Sequence, residues 1–356
     1  MGRLERKLKY LTVQAKWDKC QIPVFLASAR ERQVPLLKTL LSSYCVNECK
    51  YCAMRRGRRI IREKWSIDEL VDVAMKLWKK GRIVGVFLSS SVEEDPELVV
   101  QREVQVAEEL RRKGFTGYIH LRLMPGTPRN LIKQAARVAD RIGVNIEAPR
   151  MDVFSEVCPD KGDYWRDIVL RLKWCAEEAL RAGAEGCCKG GASTQLIVGI
   201  GETDLDHLIA MNQLIRNFKL KRIYFSSFTP IPNTPLEGWS RCPRSREYKL
   251  YQASFLMRDY KFTLEDLKTI LNESEMLPDG NLKLAYAKAN PNKYPVNLAN
   301  AKLEEILKVP GIGPKSARKI LKQRREGKEK WSFKDLVELI GVKRAKLAVG
   351  HLDLTG

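Results

Sequence analysis

The reading turns on Leu36-Leu-Lys-Thr-Leu-Leu41-Ser-Ser-Tyr-Cys45-Val-Asn-Glu-Cys49-Lys-Tyr-Cys52. An apolar run of strand length feeds directly into a loop with three cysteines at C-x3-C-x2-C spacing. Outward from it, β-rich runs at 36–41, 83–89, 118–123, 143–148, 194–200 and 223–228 alternate with helical stretches. The first helix is well marked. Ser66 and Glu69 form a capping box, Leu70, Val73, Ala74 and Leu77 line one face, and Gly81 stops it. The other helical stretches are 96–113, 128–140, 164–182 and 203–218. The pattern predicts an α/β fold, a partial (β/α)6 TIM-like barrel over 35–265, with its chemistry just after each strand. Residues 1–34 read as a basic leader, 266–300 as a Pro/Asn-rich linker with helical segments, and 301–356 as a small all-α module.

The 356 residues are 44% hydrophobic, enough for a full core, and no window approaches the roughly 18 apolar residues of a membrane span. No apolar signal core follows the N-terminus, so a cytoplasmic location is expected. Nine cysteines, an odd number, point to thiols or metal ligands rather than a disulfide framework. The excess of 64 Lys+Arg over 43 Asp+Glu, +21, favours capture of polyanions. Charged surfaces also accompany life at high temperature, so charge alone does not select nucleic acid.

Three thiolates can hold three irons of a 4Fe–4S cluster and leave the fourth open to an outside ligand. An open iron can chelate the amino and carboxylate groups of S-adenosylmethionine and pass an electron to its sulfonium. A zinc knuckle or an inert loop is the alternative; zinc normally takes four protein ligands, and no fourth Cys or His stands nearby in sequence.

The spacing, with aromatic Tyr51 before the last cysteine, resembles the fingerprint of the radical S-adenosylmethionine (radical SAM) superfamily. The resemblance implies a cluster on Cys45, Cys49 and Cys52, S-adenosylmethionine as cofactor, and an electron donor such as ferredoxin or flavodoxin. It also assigns cofactor contacts at strand ends. Ser89, Ser90 and Ser91 stand where the family usually has Gly-Gly-Glu. Gln195, Gly199 and Ile200 lie in a stretch similar to its G-x-I-x-G-x-x-E motif, with Gln195 in place of the first Gly. On the predicted strand 143–148, Asn145 and Glu147 alternate with apolar residues and so share a face. An ion pair with an Arg such as Arg150 is the other use for Glu147. Pro230-Ile-Pro-Asn-Thr-Pro235 resembles the Pro-rich turn of the biotin-synthase-like branch.

Directly after the cysteines, Arg55, Arg56, Arg58 and Arg59 could bind phosphates bidentately; a solvated basic loop is the plain alternative. The remaining cysteines, Cys20, Cys158, Cys175, Cys187, Cys188 and Cys242, lack compact ligand spacing, and a second cluster or a hydrogen-donating thiol at Cys187 or Cys188 is a further idea. Near the C-terminus, Val309-Pro-Gly311-Ile312-Gly313-Pro-Lys315 resembles a helix-hairpin-helix DNA-binding motif, in which backbone N–H groups and Lys315 face a phosphate. A degenerate second copy turns at Gly341. Residues 301–356 carry 14 Lys+Arg against 7 Asp+Glu. Barrel and paired module together resemble radical SAM proteins associated with DNA modification or repair, which implies a link to DNA base metabolism with the reaction unassigned; hydrogen abstraction from a nucleotide in DNA, bound without sequence specificity, is the leading expectation. The alternatives are an RNA or small-metabolite substrate with the module as tether, and a non-enzymatic iron–sulfur DNA-binding protein.

Overall fold

The computed structural model describes residues 2–12, 25–29 and 32–354. The run at 36–41 is the far end of a longer strand, β2 (Arg32–Leu40), preceded by β1 (Phe25–Ala29). The two pair antiparallel, Phe25 opposite Leu36. The predicted leader therefore contributes a strand, which five residues of weak alternation did not announce; the rest of it begins with helix α1 (Arg3–Lys7), and 13–24 lie outside the described residues.

From β2 onward the pairing is parallel through β3 (Gly85–Ser89), β4 (Tyr118–Leu123), β5 (Arg141–Val144), β6 (Gly191–Val198) and β7 (Arg222–Ser227), giving one curled seven-stranded sheet in sequence order. The crossovers carry α2 (Ile67–Lys79), α3 (Pro96–Arg112), α4 (Arg129–Val138), α5 (Met151–Val157) and α6 (Leu170–Ala184). The capping box of α2 forms as read: Ser66 Oγ accepts from Glu69 N at 3.2 Å, and Glu69 accepts from Ser66 N at 3.0 Å.

Alternation along the strands separates two environments. On β4, Ile119, Leu121 and Leu123 are buried in the apolar core. Between them, His120 stacks on Phe87 with centroids 4.3 Å apart and meets Ser193 Oγ at 3.1 Å. The sheet closes tightly where β5 meets β6, since a Cβ at Gly143 would lie 1.7 Å from the Ser193 carbonyl oxygen. The predicted strand 143–148 shifts accordingly. β5 ends at Val144, so Asn145 and Glu147 stand in the loop beyond it and the alternation argument does not apply to them.

Packing divides the chain into two units, Met1–Ile200 with Phe218–Cys242, and Gly201–Asn217 with Pro243–Gly356. The second contains α7 (Asp204–Arg216), α8 (Arg244–Asp259), α9 (Leu264–Lys268), α10 (Leu282–Ala289), the short strand β8 (Val296–Asn297), α11 (Leu303–Lys308), α12 (Pro314–Arg325), α13 (Phe333–Ile340), α14 (Val342–Val349) and β9 (Leu352–Asp353), which pairs with β8. α7 is tied in by Asp204, which accepts from Arg246 Nε at 2.7 Å and Leu277 N at 2.9 Å. The stretch 266–300 is folded rather than open. Buried Asp266 accepts from Lys308 and from the Tyr286 hydroxyl, each at 2.6 Å, and the apolar core of the hairpin module takes in Val296 and Leu298.

One buried group in α3 lacks support. Glu103 is fully buried and neither carboxyl oxygen has a hydrogen-bond partner; burial pushes its acid well up, with only the charge of Arg122 opposing. A carboxyl raised on folding favours the fold below the ordinary carboxylate range, and that contribution is lost as pH rises. Glu103→Leu should therefore stabilise the protein near neutral pH by about 1–3 kcal/mol, with the gap to wild type narrowing as pH falls from neutral toward the ordinary carboxylate range. Denaturant melts across that range check both the size and the sign.

Candidate functional site at the strand ends

The cysteine loop leaves the end of β2 and is fastened from several sides. Val46 N donates to Val92 O beyond β3 at 2.8 Å, Lys50 N to Val157 O at the end of α5 at 2.8 Å, and Glu48 N to the Asp160 carboxylate at 2.8 Å. Arg58 Nε reaches Pro232 O in the Pro-rich turn after β7 at 3.1 Å. These bonds bring Cys45, Cys49 and Cys52 within electrostatic reach of one another, all as free thiols. Burial raises Cys45, burial and the neighbouring Cys49 push Cys52 up to about 12, and a hydrogen bond with Cys158 together with burial raises Cys49. A bound iron reverses this, because coordination deprotonates a thiol outright. Among the described residues no three His, Cys, Asp or Glu side chains form the ligand set of a single ion. In a cluster each sulfur binds a different iron, so the ligands stand apart.

Sequence spacing gave no sign of Cys158 and Lys161. The Cys158-Pro-Asp-Lys161 turn after α5 places the Cys158 thiol 3.7 Å from the Tyr51 hydroxyl and beside Cys49. Glu147 pairs with Lys161, not with Arg150, whose guanidinium donates to Asp152 at 3.0 Å. Burial disfavours the Lys161 ammonium, and the charges of Glu147, Cys49 and Cys158 overcome that, so it titrates above its usual range. Glu147 is held at φ +61° and bonded both ways to β6, its N–H to Gln195 O at 3.0 Å and its carbonyl to Ile197 N at 2.7 Å. A side-chain-bearing residue stays in the left-handed region only where its surroundings over-determine it.

The other predicted contacts also gather at strand ends. Ser89 closes β3, Ser90 and Ser91 follow, and Ser91 N donates to Ser42 O at 3.0 Å. Ser90 Oγ and Asn145 Oδ1 are buried without a partner, although buried polar atoms are normally paired. Gln195 is half-buried on β6 opposite Tyr224; Gly199, at φ +92°, lies against Cys242, and Ile200 is buried. Of the basic run, Arg55 pairs with Glu48 and Arg58 also holds Ala53 O at 3.1 Å, so both brace the loop. Arg56 is exposed with a 3.2 Å contact to Glu48, and Arg59 is exposed with no partner among the described residues.

In the second unit, Gly311 adopts φ +86°, and a Cβ there would lie 2.5 Å from Arg344 O, so the two hairpins pack backbone to backbone. Ile312 is buried beneath, and Gly313 caps α12 without a side chain, which leaves the first-turn N–H groups beside Lys315 open. Cys20 lies outside the described residues. Cys175 and Cys188 are buried and Cys187 half-buried.

Residues 39–215 match the Radical SAM superfamily. The barrel is a radical SAM domain. A helix-hairpin-helix motif matches residues 295–322. The fold is similar to the FeFe-hydrogenase maturase HydG from Carboxydothermus hydrogenoformans, at 16% identity over 88% of this chain and 81% of that one, with a TM-score of 0.50. A second HydG structure, a maturase of the [FeFe]-hydrogenase, matches at 14% identity over 90% and 82%, with a TM-score of 0.50. No curated protein matches the sequence. The cofactors of the domain are a 4Fe–4S cluster and S-adenosylmethionine. This chain fits them on its own evidence, with three free thiols in one loop and two unpaired buried polar atoms just past the ends of β3 and β5.

Cys45→Ala, Cys49→Ala and Cys52→Ala should each abolish stable retention of about four irons per chain after anaerobic reconstitution. Cys158→Ala should retain them. Iron and acid-labile sulfide assays decide, and loss on Cys158→Ala would mean a fourth protein ligand.

Proposed function

We propose that the protein is a radical SAM enzyme that modifies or repairs a nucleotide in DNA. The observation that carries the reading is the uncapped helix-hairpin-helix turn, Gly311-Ile312-Gly313 with Lys315, in one chain with a radical SAM domain. The net charge of +21 supports it. Cys45, Cys49 and Cys52 would hold the cluster. Ser89, Ser90, Ser91, Asn145, Gln195 and the backbone at Gly199 and Ile200 would line the S-adenosylmethionine site, with Tyr51 against the cluster loop.

Held by these residues and given one electron by a ferredoxin- or flavodoxin-like donor, the cluster and S-adenosylmethionine would supply the chemistry of hydrogen-atom abstraction from the substrate. The chain's own part is to bind and to shield. Lys161, fixed by Glu147, sets a buried positive charge beside the three sulfurs, and Ser90 and Asn145 offer hydrogen bonds that no protein group uses. Exposed Arg59 and Arg56 offer phosphate contacts next to the cluster loop. A target atom inside a stacked duplex is out of reach of such a site, so the nucleotide would be flipped out or single-stranded. Among the described residues no helix is long and apolar enough to cross a membrane.

The test incubates reconstituted protein, reductant and S-adenosylmethionine with duplex or single-stranded DNA, or with RNA of the same sequence. Faster 5′-deoxyadenosine formation with DNA, together with a nucleoside of altered mass, is expected. Lys315→Ala should lower DNA affinity about equally across sequences and flatten its salt dependence by roughly one unit of log–log slope. A rate indifferent to DNA with no altered nucleoside would overturn the reading, and a response to RNA alone would move the substrate.

A further inference from the structure

Lys283, near the start of α10, is only 8% exposed. Its Nζ donates to the Ile312 carbonyl at 2.7 Å and lies 4.9 Å from the centre of the Tyr260 ring. Among the described residues no carboxylate pairs with it. That is unusual for a buried ammonium, which normally recruits an acid or gives up its proton. The contrast lies in the same unit, where Lys308 and Lys293 both reach Asp266. The carbonyl that Lys283 holds belongs to the middle residue of Gly311-Ile312-Gly313. Lys283, with no acid to pair it, is therefore fixed to the turn that leads into the open N-terminus of α12.

We propose that Lys283 is a positioning residue for a nucleic-acid phosphate on this hairpin, bracing the Ile312 carbonyl from behind while the phosphate supplies the anion the buried ammonium lacks. The inference rests on the DNA reading above and adds a residue outside the hairpin motif. It carries a pH signature. Burial lowers the Lys283 ammonium to about 7, so near neutral pH part of the population is uncharged. A phosphate favours the charged form, so DNA binding takes up a proton at and above that pH, and affinity falls as pH rises through it. Tyr260, from the end of α8, is the titratable group set against Lys283. Burial and the charge of Asp259 raise its hydroxyl, Arg344 of α14 opposes them, and the phenol keeps its proton between about pH 6 and pH 8.5.

The experiment measures binding of the full-length protein to a fluorescent DNA duplex by anisotropy at low salt, at about pH 6 and about pH 8.5. Lys283→Met should bind about three- to tenfold more weakly than wild type at the lower pH, and the two should converge at the higher. Parallel profiles would overturn the proposal. Should Lys283→Met not fold, as judged by circular dichroism, calorimetry on wild type at about pH 7.5 in two buffers of different ionisation enthalpy reads the proton directly, and the absence of uptake on binding would overturn it. Lys315→Ala separates the two readings, because it should weaken binding alike at both pH values. If wild type fails to bind at about pH 6, the DNA reading falls and this one with it.

Discussion

Three thiols must be held together in a loop that has almost no structure of its own, and this constraint organises the mouth of the barrel. Within the loop the backbone makes few bonds of its own, such as Arg56 N to Asn47 O at 2.9 Å and Cys52 N to Cys49 O at 3.2 Å. Fixing each of its residues costs about 1–2 kcal/mol of conformational entropy, and gathering sulfurs in a buried place penalises their charged form. The compensation comes from outside the loop. Val92, Val157, Asp160 and Pro232 hold its backbone or its arginines, and Arg62 closes its far end through the carbonyls of Met54 at 3.0 Å and Arg55 at 2.8 Å. Several arginines that look like a phosphate surface in the sequence are thus part of the frame of the cluster site.

The C-terminal unit meets a similar cost by concentrating charge on a hub. Asp266, capped by Thr263 and held by Lys308 and Tyr286, keeps its carboxyl well below the ordinary range because these partners outweigh burial. The hub pins α9, α10 and α11 through side chains of one network, so 266–300 is bound into the hairpin module. Partners of this kind are what make buried charge tolerable, and Lys283 stands apart because its acid is missing.

The barrel was legible because parallel strands buried on both faces read as apolar runs and their crossovers as amphipathic helices. The cysteine loop could be singled out because its three thiols are local in sequence. β1 escaped notice because five residues with Ala and Ser carry little periodicity, and the end of β5 was misplaced because Ile146 and Ala148 continue its apolar texture past Val144. Lys161 and Cys158 could not be found by spacing. They reach Glu147 and Cys49 through a turn after α5, and only the folded chain sets that distance.

Sharing a fold with a hydrogenase maturase at 16% identity says little about substrate, because folds of this kind host many chemistries. The division of labour within the chain says more. A hairpin that offers backbone N–H groups and a lysine grips phosphate without reading bases, so on the DNA reading it supplies affinity and leaves the choice of target to the strand ends. There, Ser90 Oγ and Asn145 Oδ1 are already desolvated and unpaired, which costs about 1–3 kcal/mol apiece in the free protein. A ligand that supplies both partners recovers that cost on binding and so stabilises the fold as well as itself. On the reading that these atoms line the S-adenosylmethionine site, they select the cofactor rather than the DNA target, since an ill-fitting ligand restores nothing at either atom.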